Sequence, residues 1–254
     1  MVHGRRTNMK RLLLFLLLSA VALRAQGRIL APIMNPFPSP VASGGTAPTL
    51  VNNGGLADGT GISRSTSTTF TYQTGDIIVV ALVSEGASSE TFSAPTAMTN
   101  LTFSNNPIQH QAFSSCALSI FWGQATGSGS GTVTLNTSAD NFHWAAWVWQ
   151  YRGSSGIGNS ASQFTTTKTV PLTPAYGAHS AIIWVFGDWA AAASPAVTPT
   201  SPNEHTRQAT QISGSYSFAQ ADITDQTSAG QVSYGANYTS TGLFSIGVLE
   251  IKGQ

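Results

Sequence analysis

Glu85 and Glu90 are the closest-spaced glutamates of the chain and follow the apolar run Ile77 to Val83. Paired carboxylates hydrolyse glycosidic bonds when they flank the scissile bond about 5 to 10 Å apart. Gly86, Ser88 and Ser89 lie between these two, so the pair reads as a solvated loop. Asp222 and Asp225, with Thr224 between them, offer oxygens to calcium. A calcium site takes roughly six to eight oxygens, which two carboxylates do not specify. His110, His143, His179 and His205 could serve as bases, and Asp140 lies near enough to His143 to orient it. No nucleophile accompanies them, since Gly127-Ser128-Gly129-Ser130-Gly131 has glycine where a nucleophile elbow needs serine. The single cysteine, Cys116, sits in an apolar run and reads as a small buried hydrophobe. One cysteine builds neither a Cys-based metal site nor an internal disulfide, and no phosphate-cradling glycine motif occurs. The residues therefore assign no catalytic group, no metal and no cofactor.

The aromatic residues carry more information. In the stretch Phe142 to Tyr151, Phe142, Trp144 and Val148 face one way, and His143, Trp147, Trp149 and Tyr151 face the other. A two-layer core has room for only one of these faces. Trp147, Trp149, Tyr151 and the loop residue Trp189 are accordingly the candidate ligand-binding residues. Exposed rings beside Asn, Asp and Gln stack on the apolar faces of sugars while the amides hydrogen-bond the hydroxyls. Trp122, Trp144 and Trp184 are assigned to the core.

The elements that would position these residues are strands. From residue 48 onward, runs of Thr, Val, Ile, Phe, Tyr and Trp are punctuated by Gly, Asn, Ser and Pro. The readable strands are Thr68 to Gln73, Asp76 to Ser84, Phe113 to Gln124, a short one at Val133 and Leu135, Phe142 to Tyr151, Ser180 to Asp188, Val232 to Tyr238, and Leu243 to Ile251. The unbroken run Ile77 to Val83 implies cover on both faces and hence a central strand. This pattern predicts an all-β fold, a two-sheet antiparallel β-sandwich of jelly-roll type, over residues 48–254. His143 to Gly153 and His179 to Gly187 look faintly alike, but the likeness is too slight to establish a repeat.

Three stretches come in a recognisable order: Gly75-Asp76-Ile77-Ile78-Val79-Val80, then Trp147-Val148-Trp149-Gln150-Tyr151-Arg152-Gly153, then Ser245-Ile246-Gly247-Val248-Leu249-Glu250-Ile251. Together they resemble a jelly-roll, lectin-like domain of uncharacterised bacterial secreted, cell-surface and phage-tail-associated proteins. The resemblance spans about residues 48 to 253 and implies the sandwich; it transfers no site residue.

Ahead of the domain, Arg5, Arg6, Lys10 and Arg11 precede the apolar run Leu12 to Leu23, and Ala20, Ala22 and Ala25 follow the order of a cleaved export signal over residues 1–25. The run is too short to span a bilayer, which takes about 20 residues. Residues 26–47, with Pro32, Pro36, Pro38 and Pro40, read as an extended linker or arm. Beyond Gln26, six cations stand against ten acids, so this part is acidic by four charges and its scattered cations give no footprint for nucleic acid. Only 8% of residues are charged while Ser and Thr number 31 and 30, so hydroxyls form the polar surface. The expectation is a secreted, non-enzymatic module, placed outside the cell, at its surface or in the periplasm, that binds or adheres to a polysaccharide or cell-surface glycan. One alternative is a subunit of an extracellular filament or surface layer, self-associating when Ile29, Leu30, Ile33 and Met34 of the arm add a strand to a neighbour's sheet edge. The other is a polysaccharide hydrolase or lyase with a concealed site.

Overall fold

Two apolar runs, Ile77 to Val83 and Ala181 to Phe186, are buried along their entire length because each lies at the centre of a sheet that is covered on both faces. The computed structural model describes residues 45–59, 61–84, 91–112, 117–138, 143–165, 169–174, 179–188, 203–212, 216–228, 230–235 and 244–254. The expected export signal, the expected arm with Ile29, Leu30, Ile33 and Met34, and Glu85, Glu90, Cys116, Asp140 and Trp189 lie outside them.

All named elements are strands. The first part of the chain supplies β1 (Thr49–Gly59), β2 (Ser63–Ser65), β3 (Phe70–Tyr72), β4 (Ile77–Ser84), β5 (Phe92–Ser93), β6 (Ser104–Ala112), β7 (Ala117–Gln124), β8 (Gly129–Gly131), β9 (Thr134–Thr137) and β10 (Trp144–Arg152). The second part supplies β11 (Gly156–Thr165), β12 (Thr169–Leu172), β13 (Ser180–Asp188), β14 (Glu204–Ile212), β15 (Tyr216–Gln226), β16 (Val232–Gly235) and β17 (Phe244–Lys252). One five-stranded antiparallel sheet has the order β1-β10-β4-β7-β6 and the other β11-β17-β13-β15-β14. The chain completes the first sheet before it starts the second. Successive strands of a jelly roll cross between its two sheets, and these do not.

Alternation along the strands divides the core into three apolar clusters. Val79, Ala81, Val83, Leu118, Trp149 and Tyr151 of the first sheet meet Ile183, Val185, Phe218, Leu249 and Ile251 of the second. On its other face the first sheet packs Ile78, Val80, Trp144 and Val148 against Phe70 and Tyr72 of β3, Phe92 of β5 and Leu135 of β9. The other face of the second sheet packs Ile182, Trp184, Phe186 and Val248 beneath Val170, Leu172 and Tyr234 of the β12–β16 pair. Small strand pairs and a three-stranded sheet, β2-β9-β5, thus form outer covers. A strand with aromatic residues on both faces, such as β10, fits because both faces are interior. Each buried aliphatic or aromatic side chain contributes about 1.5–3 kcal/mol on leaving water.

Turns set the register of the first sheet. Gly75 takes a positive φ of 88° in the turn before β4, where the Asp76 amide donates to the Gln73 carbonyl at 3.0 Å. At the opposite edge Gly55 pairs with Trp147, and the indole lies where a Cβ on Gly55 would project. Ile183→Ala should lower stability by about 2–5 kcal/mol, whereas Thr71→Ala on the exposed face of β3 should change it by less than about 0.5 kcal/mol. Urea unfolding of both variants checks this.

Candidate functional site

The aromatic strand leads to the most concentrated polar cluster between the two sheets. Trp149 and Tyr151 point inward from β10 and Asp222 points at them from β15; all three are fully buried. Trp149 Nε1 donates to Asp222 Oδ1 at 3.0 Å, and Tyr151 OH donates to Oδ2 at 3.2 Å. The Arg207 guanidinium, on β14, grips the same carboxylate as a fork, with Nη2 3.0 Å from Oδ2 and Nε on Oδ1. Burial pushes the Tyr151 phenol well above its ordinary pKa, and the neighbouring Asp222 charge and its hydrogen bond push in the same direction. Tyr151 therefore stays a neutral donor. A carboxylate this enclosed, with donors from two sheets, holds the layers together. It leaves no open face for calcium, and Asp225 bonds instead to His179 Nδ1 at 3.2 Å.

Two of the four residues expected to stack on sugar, Trp149 and Tyr151, are therefore enclosed. Trp149 and Tyr151 have no exposed ring face. Trp147 is half-buried against the same cluster, with its Nε1 buried. Trp189 lies outside the described residues. The placement expected for Trp144 and Trp184 is found, in the core, while Trp122 is half-buried at its margin.

Four further carboxylates, Asp76, Asp188, Glu204 and Glu250, are buried where the sequence raised no candidate. Asp76 receives Arg152 Nε and Nη2 at 2.8 and 2.7 Å, Gln150 Nε2 at 2.8 Å and the Gln73 amide at 3.1 Å. Burial alone would raise its pKa, but the hydrogen bonds from Arg152, Gln73 and Gln150 and the Arg152 charge outweigh burial and hold it below the usual carboxylate range. On the outer face of the second sheet, Glu250 accepts from Ser180 Oγ at 2.6 Å and from the Asn159 amide at 2.9 Å. Glu204 accepts from Trp184 Nε1 at 2.8 Å. Tyr234 closes over this face from β16, its phenol held neutral by burial and by the charges of Glu250 and Glu204. Gln150 and Arg152 lie 74 and 76 residues from Asp76, so no local sequence pattern signalled this contact. Asp76, Glu250 and Glu204 are each bonded to strands of their own sheet and brace it.

The exposed chemistry lies on the cover sheet β2-β9-β5. Arg64 turns inward over the Trp144 ring, 5.8 Å from its centroid, and Leu135 and Phe92 are buried. The outward positions are Ser63, Ser65, Ser93, Thr134 and Asn136, with Ser63, Asn136 and Ser93 in register across three strands. Ser65 Oγ and Thr134 Oγ1 share a hydrogen bond of 2.7 Å, and Asn136 Nδ2 donates to Thr96 Oγ1 at 3.4 Å. Ile62, 56% exposed, adds an apolar margin. Every outward group named is an uncharged hydroxyl or amide, able both to donate and to accept.

Comparison with known proteins gives no family-model match, no match among curated proteins and no match among solved structures. Among the described residues no three His, Cys, Asp or Glu side chains gather as metal ligands, and no helix is long and apolar enough to cross a membrane.

Replacing Asp222 by Ala should cost about 3–5 kcal/mol, because Arg207 then loses its partner at the sheet interface; denaturant unfolding monitored by tryptophan fluorescence measures it. Asp76 predicts an acid-sensitive term. Its pKa is lowered on folding, so its contribution is complete above the unfolded carboxylate pKa and is lost as pH falls through the folded one. The urea midpoint should therefore drop with acidification in the wild type, and less steeply in Asp76→Asn.

Proposed function

We propose that this chain is a secreted, non-enzymatic β-sandwich module that binds neutral polysaccharide at an extracellular surface, through the hydroxyl and amide face of β2-β9-β5. The observation that carries the reading is the outward row Ser63, Asn136, Ser93 with Ser65, Thr134 and Thr96 beside it, a face free of outward charge among the described residues. Neutral sugars are recognised by groups that exchange hydrogen bonds with hydroxyls, and an uncharged face does so without desolvating ions. Residues of one face recur about every 6.8 Å along a strand and about every 4.8 Å across strands, which presents a regular array to an extended polymer. The Ile62 side chain offers apolar contact at the margin.

For the hydrolase alternative, Asp76, Asp188, Glu204, Asp222 and Glu250 are buried, Asp225 is 34% exposed and bonded to His179, and Glu85 and Glu90 lie outside the described residues. Pull-down of the protein on insoluble cellulose, chitin and β-1,3-glucan tests the binding reading. Retention on at least one polymer is expected, and Thr134→Glu and Asn136→Asp should each weaken it about ten-fold or more, a loss of about 1.4 kcal/mol. A blank result on all polymers together with a blank glycan array sinks the binding reading. Retention unaffected by both substitutions sinks its assignment to this face.

A further inference from the structure

The two five-stranded sheets repeat one another strand for strand. Both closing strands end in a basic residue and a glycine, Arg152-Gly153 after β10 and Lys252-Gly253 after β17. With these aligned, β1, β4, β6, β7 and β10 correspond to β11, β13, β14, β15 and β17, and the sheet orders become identical. Register follows. Gln150 pairs with Ile78, and Ile78 with Gly123; in the second sheet Glu250 pairs with Ile182, and Ile182 with Ile223. The cover pairs correspond too, since β3 and β8 flank β4 and β7 in sequence as β12 and β16 flank β13 and β15.

Irregular features repeat as well, which general sheet geometry does not require. The first sheet strand of each half is interrupted at the same place, after Leu50 in β1 and after Ile157 in β11. Both residues are half-buried against the inter-sheet cluster. The Asp76–Gln150 hydrogen bond has its counterpart in Glu250–Ser180, at the same two positions with acceptor and donor exchanged between strands. The pairs β1·β14 and β11·β6 touch across the interface, and each converts into the other when the halves are exchanged; β4 touches its own counterpart, β13. That is the contact pattern of a two-fold axis, the arrangement of an isologous dimer.

The bonding has the same division. Each sheet draws its strands from one half alone. The halves adhere through the inter-sheet apolar cluster, through Asp222 with Trp149 and Tyr151, and through Gln220 Nε2, which donates to the carbonyls of Ala81 and Ala145 at 3.2 and 3.3 Å. Thr46 and Gln254 exchange backbone hydrogen bonds of 2.7 and 3.0 Å where the two ends meet.

We infer that residues 45–153 and 154–254 are two copies of one folding unit, and that the face between the sheets is a subunit interface whose partner is the other unit. The likeness of His143–Gly153 to His179–Gly187 is not this repeat, because those stretches lie on β10 and β13, which are not counterparts. The asymmetry at Asp222 locates where the copies diverged: its counterpart is Trp122, at the margin of the inter-sheet cluster.

A protease site inserted in the full chain between Gly153 and Ser154 tests the inference. After cleavage the two fragments should co-elute as a one-to-one complex with native far-ultraviolet dichroism. They should separate in denaturant and reassemble on dilution. Asp222→Ala should weaken the cleaved complex roughly 100-fold or more while the uncleaved variant stays assembled. The control is the same insertion between Gly127 and Ser128, inside the first half, where cleaved fragments should fail to reassemble. Aggregation after cleavage at Ser154, or equal reassembly after cleavage at either place, overturns the inference. Because binding by β2-β9-β5 is not measured here, failure of one proposal leaves the other standing.

Discussion

Both central sheets are covered on both faces, and the other features of the structure answer to that constraint. A doubly covered strand has no solvent side on which to place its polar residues. An unpartnered buried group costs its full desolvation, and most buried carboxylates are bonded internally, while Ser119 Oγ, Tyr234 OH and Ser245 Oγ are buried without a hydrogen-bond partner. Asp222 gathers Trp149, Tyr151 and Arg207, Asp76 gathers Arg152 and Gln150, and Glu250 gathers Ser180 and the Asn159 amide. These bonds are directional where apolar packing is not. They therefore fix which strand faces which, and they explain how a chain with few charges can afford to bury several.

The same constraint separates what was legible in the amino-acid sequence from what was not. Ile77 to Val83 and Ser180 to Asp188 read as strands because their apolar runs are continuous, and both are buried as that reading requires. β15 escaped detection because its inward residues include Gln220 and Asp222, which break the expected alternation. The short covers β2 and β5 contain too few residues for a period to show. The surplus of aromatics on β10 was visible, but its meaning turned on the number of layers. With two layers one face had to be exposed; with outer covers present, Trp149 and Trp144 are both interior. Hydrogen-bond partners such as Trp149 and Asp222 are far apart in sequence, and no local pattern joins them.

The division of labour in the molecule follows from the covers. The inner layers carry the buried acids, and the covers turn Phe70, Tyr72, Phe92 and Tyr234 inward and meet solvent with Ser, Thr and Asn. Arg64 shows the boundary between the two, since it sits on a cover strand yet turns inward onto Trp144. A low-charge exterior is therefore compatible with a stable interior here, because the charged side chains named above act inside the fold.

The backbone bonds between Thr46 and Gln254 have a mechanical meaning. Tension applied at these two residues loads that small contact first, one bond after another, as a zip is opened. Tension along the long strands instead loads whole ladders in parallel. The fold is accordingly soft toward a pull on the seam where its ends meet and stiff toward shear along its sheets, so the direction of an external force, as much as its size, decides whether the layers come apart.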